Sequence, residues 1–112
     1  MPDSVDRRRA RSRELHRTVA ARILQDPERA LSLAHQYLAR MAQDRHVRYY
    51  IEEWTRWLER PVPEICHLLA DDNSEYAEAL RRMSPFLGVI TQAERDAIYR
   101  RYAVDRRESP SR

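Results

Sequence analysis

Apolar residues recur every three or four positions along most of the chain, a period that is typical of amphipathic helices. Leu15, Val19 and Ile23 stand four residues apart, and they follow Ser12, a residue type that favours a helix N-terminus. A second series of apolar residues runs from Val47 to Leu58, with charged residues filling the positions between them. Each series predicts one helix with one buried face.

Prolines and short polar residues mark where the helices begin and end. Asp26 followed by Pro27 predicts a helix start, because aspartate accepts bonds from free amides and proline fits the first turn. Pro61 ends the third helix, since it lacks the amide proton that the helix needs. Thr91 and Glu94 form a T-x-x-E capping box that opens the last helix.

These signals together predict an all-α fold, a single compact, bundle-like domain of about five or six short helices. The composition agrees, because one glycine in 112 residues is too few for the turns of a β-rich domain. We expect three regions: a disordered basic N-terminal arm over 1–11, the helical domain over 12–103, and a disordered basic C-terminal tail over 104–112.

All 21 basic residues are arginine, and they are concentrated at the two ends of the chain. Residues 1–22 hold seven arginines and three acids, whereas residues 23–99 hold nine arginines and thirteen acids. The lack of lysine has two explanations that are compatible with each other. One is a G+C-rich genome, and the other is selection for the planar guanidinium, which binds phosphate. Either solvated ends or weak DNA or RNA binding through the arginine arms fits the pattern. The candidate nucleic-acid-binding residues are Arg7, Arg8, Arg9, Arg11 and Arg13.

No group of residues has the spacing of a catalytic or metal site. The four histidines are not paired at helical spacing, and a single glycine cannot form a phosphate-binding loop. Cys66 is the only cysteine and cannot form an internal disulfide, so we expect it to pack in the core. We therefore expect a protein that is not an enzyme and has no metal or cofactor. We also expect it to be cytoplasmic, because no signal peptide or membrane-spanning run is recognisable.

Two segments are candidates for either core or interface. Tyr49, Trp54 and Trp57 cluster in the third helix, and Trp and Tyr are enriched at interface hot spots. Residues 84–90 are apolar without a helical period, which fits a buried crossover loop as well as a docking segment. In that segment Gly88 is the residue that permits a positive φ.

Three stretches together resemble a known group of proteins. They are the Ser-Arg-Glu-Leu-His-Arg start at Ser12, the tryptophan-containing middle helix, and an S-P-F-x-G-V-[IL]-T-x-x-E-R string from Ser84. The pattern resembles small actinobacterial helical proteins that occur alone or behind helix-turn-helix regulators, as antitoxins beside nucleotidyltransferase-like toxins. No separate helix-turn-helix domain precedes Ser12 in this sequence. The resemblance therefore implies binding of a toxin rather than of an operator.

We therefore hypothesise a non-catalytic, antitoxin-like protein-binding module that neutralises a cognate toxin. The sequence is also compatible with a homodimer. The alternative is an arginine-rich nucleic-acid-binding transcriptional regulator. The candidate partner-binding residues are Tyr49, Trp54, Trp57, Arg81, Arg82, Ser84, Pro85, Phe86 and Leu87.

Overall fold

Every regular element in residues 4–103, the part that the computed structural model describes, is helical. The six α-helices are α1 (Ser4–Gln25), α2 (Pro27–Met41), α3 (Arg48–Trp57), α4 (Val62–Ala70), α5 (Glu75–Arg82) and α6 (Gln92–Tyr102). Two 3-10 turns, Arg45–Val47 and Leu87–Val89, precede α3 and α6. The predicted class, a small all-α bundle-like domain, is confirmed. Among the described residues, no helix has both the length and the apolar character needed to cross a membrane.

The predicted helix starts have the hydrogen bonds that the sequence signals require. The Asp26 side chain accepts a bond of 3.2 Å from the amide of Arg29 in the first turn of α2. At α6 the Glu94 amide donates to the Thr91 hydroxyl at 3.0 Å, and the Thr91 amide donates to the Glu94 carboxylate at 2.8 Å. The capping box is thus confirmed in both directions.

Helix α1 begins at Ser4, well before the predicted start at Ser12. The predicted disordered arm is therefore wrong for residues 4–11, which form the first turns of α1, and the predicted tail at 104–112 lies outside the described residues. Contacts with other helices explain the difference. Arg9 pairs with Glu78 of α5 at 3.6 Å, and the Arg11 guanidinium lies 4.5 Å from the ring centre of Tyr99 in α6.

The core forms where α1 packs on α4, α6 and α2. Trp54 of α3 is fully buried, and its indole lies edge-to-face with Phe86 at 5.7 Å between ring centres. The indole N–H also donates to the Leu80 carbonyl oxygen at 3.0 Å. One side chain thus joins α3, α5 and the segment after α5. The fully buried aliphatic residues around this centre include Val19, Ile23, Ile65 and Leu80.

The apolar segment 84–90 is a buried crossover between α5 and α6. Its Phe86 amide donates to the Ser84 hydroxyl at 3.1 Å, which closes a tight turn, and both residues are buried. Gly88 is exposed and does not have a positive φ, so the role predicted for it is wrong. The 3-10 turn at this point needs only ordinary right-handed backbone angles, and a Cβ on Gly88 would meet nothing within 4 Å.

We predict that Trp54→Ala lowers the free energy of unfolding by about 3–5 kcal/mol, because it leaves a cavity against Phe86. The matched control, Tyr49→Ala, removes an exposed aromatic residue of the same helix and should cost less than about 1 kcal/mol. Urea denaturation monitored by circular dichroism measures both values. Equal losses for the two variants would contradict this description of the core.

Candidate functional site: an aromatic surface and an arginine cleft

The structure divides the nine predicted partner-binding residues between the core and the surface. Five of them are buried in the structure, so they offer little surface to a partner: Trp54, Arg81, Ser84, Pro85 and Phe86. Four reach the surface fully or in part: Tyr49, Trp57, Arg82 and Leu87.

Arg81 has a structural role that its charge did not suggest. Only 4% of the residue is exposed, and its Nη1 donates to the carbonyl oxygens of Leu68 at 2.8 Å and Asp72 at 2.7 Å. Leu68 lies in the last turn of α4, where helix carbonyls have no partner within the helix, and Asp72 follows just after the helix ends. Burial lowers the pKa of Arg81, but the two bonds keep the guanidinium satisfied.

One group of surface residues, the aromatic surface, consists of Tyr49, Tyr50, Trp57 and Tyr76. The Trp57 indole N–H donates to the Tyr76 hydroxyl at 2.8 Å, and that hydroxyl donates to the Glu53 carboxylate at 2.5 Å. Tyr49 and Tyr50 meet edge-to-face at 5.2 Å between ring centres. The chain of hydrogen bonds fixes rings from α3 and α5 in one arrangement.

Tyr76 belongs to this surface although no pattern in the sequence predicted it. Desolvation and the Glu53 carboxylate both raise the pKa of Tyr76, so it remains a phenol that donates to Glu53. Tyr76 lies 19 positions after Trp57, and only the packing of α3 against α5 brings the two together. No local spacing in the sequence indicates this pair.

Acidic residues outnumber basic ones around the aromatic surface. The stretch 48–82, which forms α3 to α5, holds eight acids and five arginines. One of these arginines, Arg81, is buried, and Arg56 pairs with Glu53. The stretch that carries the aromatic surface therefore has a net negative charge, which favours a positively charged partner.

A second feature is a cleft of about 510 Å³ between the first half of α1, α5 and α6. We call it the arginine cleft. Its basic lining comes from two helices: Arg8, Arg9, Arg11 and Arg13 of α1, and Arg81 and Arg82 of α5. Leu15, His16, Leu87 and Tyr99 also line it. The cleft thus joins most of the predicted nucleic-acid-binding residues with Arg81, Arg82 and Leu87 from the predicted partner-binding set, whereas Arg7 does not line it.

The charge of the arginine cleft is strongly one-sided. Among the residues that the structure describes, Glu78 is the only acid in the lining, and it pairs with Arg9. Burial has the largest effect on the pKa of Arg81 and lowers it, whereas the carboxylates of Glu78 and Asp72 raise it. The nearby positive charge of Arg13 lowers this pKa further. By contrast, a pocket of about 400 Å³ beside α2 holds Arg22 paired with Glu94, so its charges offset each other.

His16 lies beneath the cleft as a neutral, buried ring. Its Nδ1 is 2.8 Å from the Ser12 carbonyl oxygen, which can only accept, so Nδ1 carries the proton. The Nε2 atom is buried, and no hydrogen-bond partner for it is found among the described residues. Burial, helped by the nearby charge of Arg81, lowers the pKa of His16 from 6.5 to about 4, against the opposing effect of the Ser12 carbonyl. The Arg81 backbone also interacts with the ring and acts to raise its pKa.

Among the described residues, no three His, Cys, Asp or Glu side chains lie close enough to hold a metal ion. Cys66 is buried as predicted, and its thiol donates to the Ala20 carbonyl oxygen at 3.7 Å. Burial raises the pKa of this thiol, which disfavours the nucleophilic thiolate. Comparisons with protein-family models, curated proteins and solved structures give no match to this chain. The resemblance to antitoxin-like proteins therefore stays a prediction.

We predict that His16 makes the stability depend on pH between 6.5 and 4. In this range the unfolded chain takes up a proton on His16 and the folded protein does not. The contribution of His16 to the free energy of unfolding is therefore fully present above pH 6.5 and lost as the pH falls to about 4. The full difference is on the order of 3 kcal/mol.

Urea denaturation of wild type and His16→Leu across this pH range measures the effect, since leucine cannot titrate. The variant should lose less stability than the wild type as the pH falls. His35→Gln removes an exposed histidine of α2 and should leave the wild-type dependence unchanged. Parallel curves for wild type and His16→Leu would show that the buried ring does not carry the effect.

Proposed function

We propose that this protein is a non-catalytic, antitoxin-like binding module that docks a cognate toxin protein through its aromatic surface. The observation that supports the proposal most strongly is the hydrogen-bonded chain from Trp57 through Tyr76 to Glu53. Tyr49 and Tyr76 are 55% and 40% exposed, so part of each ring is open to a partner.

The fixed arrangement of the rings suits protein recognition. Binding costs conformational entropy for every side chain that becomes ordered, and this cost falls when the side chains are already held in place. The Arg60 guanidinium lies 4.4 Å from the centre of the Trp57 ring and restricts the indole further. Trp, Tyr and Arg are the residue types that carry most energy at interfaces.

The acidic surroundings favour one kind of partner. A protein that binds nucleotides or RNA has a cationic site, and a negative surface is attracted to it and covers it. The resemblance in the sequence implies a nucleotidyltransferase-like toxin, which is a protein of that class. We infer that neutralisation occurs by covering the cationic site and not by any chemical modification.

We predict that the protein forms a complex with the product of the neighbouring gene, and that Trp57→Ala weakens it at least about 30-fold. This loss corresponds to a hot-spot residue of about 2 kcal/mol. Tyr49→Ala should weaken the complex to a smaller extent, because its ring is the more exposed of the two. Isothermal titration calorimetry on the purified proteins measures the dissociation constants.

Tyr99→Ala is the matched control, since it removes another exposed tyrosine from α6, outside the aromatic surface. Its complex should keep the wild-type dissociation constant. The proposal is contradicted if the neighbouring gene product does not bind, or if Tyr99→Ala weakens the complex as much as Trp57→Ala. Circular dichroism of each variant confirms that a loss of binding is not a loss of folding.

The second candidate function is that of an arginine-rich nucleic-acid-binding regulator, and the arginine cleft favours it. Arginines of α1 and α5 line one concavity there, and within residues 4–103 Glu78 is the only acid in the lining. Arginine binds phosphate in a bidentate manner, and a one-sided charge attracts polyanions. Both functions are compatible in one protein because the two surfaces consist of different residues.

A further inference from the structure

We propose that the arginine cleft binds single-stranded nucleic acid, with the phosphates on the arginines and a base stacked at Tyr99. The inference deepens the second candidate function and rests on it. It does not depend on the docking of a toxin at the aromatic surface. The ligand follows from three properties of the cleft: its charge, its aromatic wall and its concave shape.

The charge fits a chain of phosphates. Arg13 and Arg82 are exposed at the cleft, and among the residues that the structure describes neither of them forms an ion pair. Arg9 and Glu78 stand 3.6 Å apart at the surface, a contact that is weak in water and that a phosphate readily replaces. The arginines of α1 and Arg82 of α5 thus offer several separate phosphate contacts in one cleft.

The aromatic wall adds a site for a base. The Arg11 guanidinium lies 4.5 Å from the ring centre of Tyr99, and 42% of Tyr99 remains exposed. Proteins that bind single strands use such aromatic and guanidinium planes for stacking, because every base has a flat face. A segment of aspartate and glutamate residues has no base that could stack on this ring.

The shape favours a single strand over a duplex. A protein reads duplex DNA by placing a protruding helix or ribbon in the major groove. Here the arginines of α1 face a concavity bounded by α5 and α6, so they surround a space of about 510 Å³. An unpaired strand enters such a space with its bases exposed for stacking, whereas a duplex keeps its bases stacked inside.

Fluorescence anisotropy with the full chain and labelled oligonucleotides of about 12 nucleotides tests the inference. The probes are oligo(rA), oligo(dA) and the matching duplex, and a poly-glutamate peptide of similar charge serves as competitor. We expect both single strands to bind more tightly than the duplex. Comparison of oligo(rA) with oligo(dA) decides whether RNA or DNA is preferred. Poly-glutamate should compete poorly.

The variants separate stacking from charge. Tyr99→Ala should weaken single-strand binding about 5- to 150-fold, and Tyr99→Phe, which keeps the ring, should restore it. Arg82→Ala should reduce the slope of log affinity against log salt by about 0.7, the loss of one phosphate contact. The controls are Tyr49→Ala for an aromatic residue and Arg40→Ala for a charge on α2, and both should bind nearly as the wild type does.

The inference is overturned if the duplex binds as well as the single strands, or if Tyr99→Ala behaves like Tyr49→Ala. It is also overturned if poly-glutamate displaces the strand efficiently, which would assign the cleft to an acidic protein segment. If the duplex binds as well or Tyr99→Ala has no specific effect, but binding still depends on Arg82, the second candidate function, a nucleic-acid-binding regulator, is still supported. If no oligonucleotide binds at low salt, both fail, and the toxin-docking proposal is decided by its own measurement.

Discussion

The packing of Trp54 against Phe86 is the contact on which the rest of the structure depends. A domain of this size has a small interior, and the indole fills its centre while donating to the Leu80 carbonyl oxygen. This single residue fixes α3 against α5 and holds the crossover segment 84–90 beneath them. Because this centre accommodates Trp54, the second tryptophan, Trp57, lies nearer the surface and bonds to Tyr76 there.

The two candidate surfaces both follow from the way the helices are held. The aromatic surface exists because α3 and α5 pack together, and the arginine cleft exists because α1 extends past the core towards α5 and α6. Helix α5 contributes to both, through Tyr76 and Arg82. Arg81 anchors α5 to the end of α4, so it positions the cleft without having to bind a ligand.

The helices could be predicted from the sequence because their signals are local. The capping box at Thr91 and the Asp26-Pro27 start depend on residues within one turn of each other, and both are present in the structure. The start of α1 could not be predicted, because its first turns are held by distant partners and not by an apolar stripe. Arg9 pairs with a residue of α5, and Arg11 lies against a ring of α6.

Burial of the candidate site residues is the property that the sequence predicted least well. The sequence pattern fits Trp54 and Trp57 equally well as core residues or as interface residues. Only the packing shows that Trp54 is buried and Trp57 is partly exposed. Arg81 and Arg82 are adjacent in sequence, yet one is buried and bonded to carbonyl groups while the other is exposed. Neighbouring positions on a helix point about 100° apart, so sequence proximity gives no indication of a shared environment. Tyr76 and Tyr99 reach their surfaces through tertiary contacts alone.

The two indole N–H groups allow the most direct test of the central claim, that one tryptophan holds the fold and the other meets the partner. Nuclear magnetic resonance spectra of the 15N-labelled protein show one signal for each indole, assigned with Trp54→Phe and Trp57→Phe. On titration with the neighbouring gene product, the Trp57 signal should shift or broaden at the dissociation constant of the complex, while the Trp54 signal keeps its position. A shift of the Trp54 signal with an unchanged Trp57 signal would show that the two indoles do not divide the roles in this way.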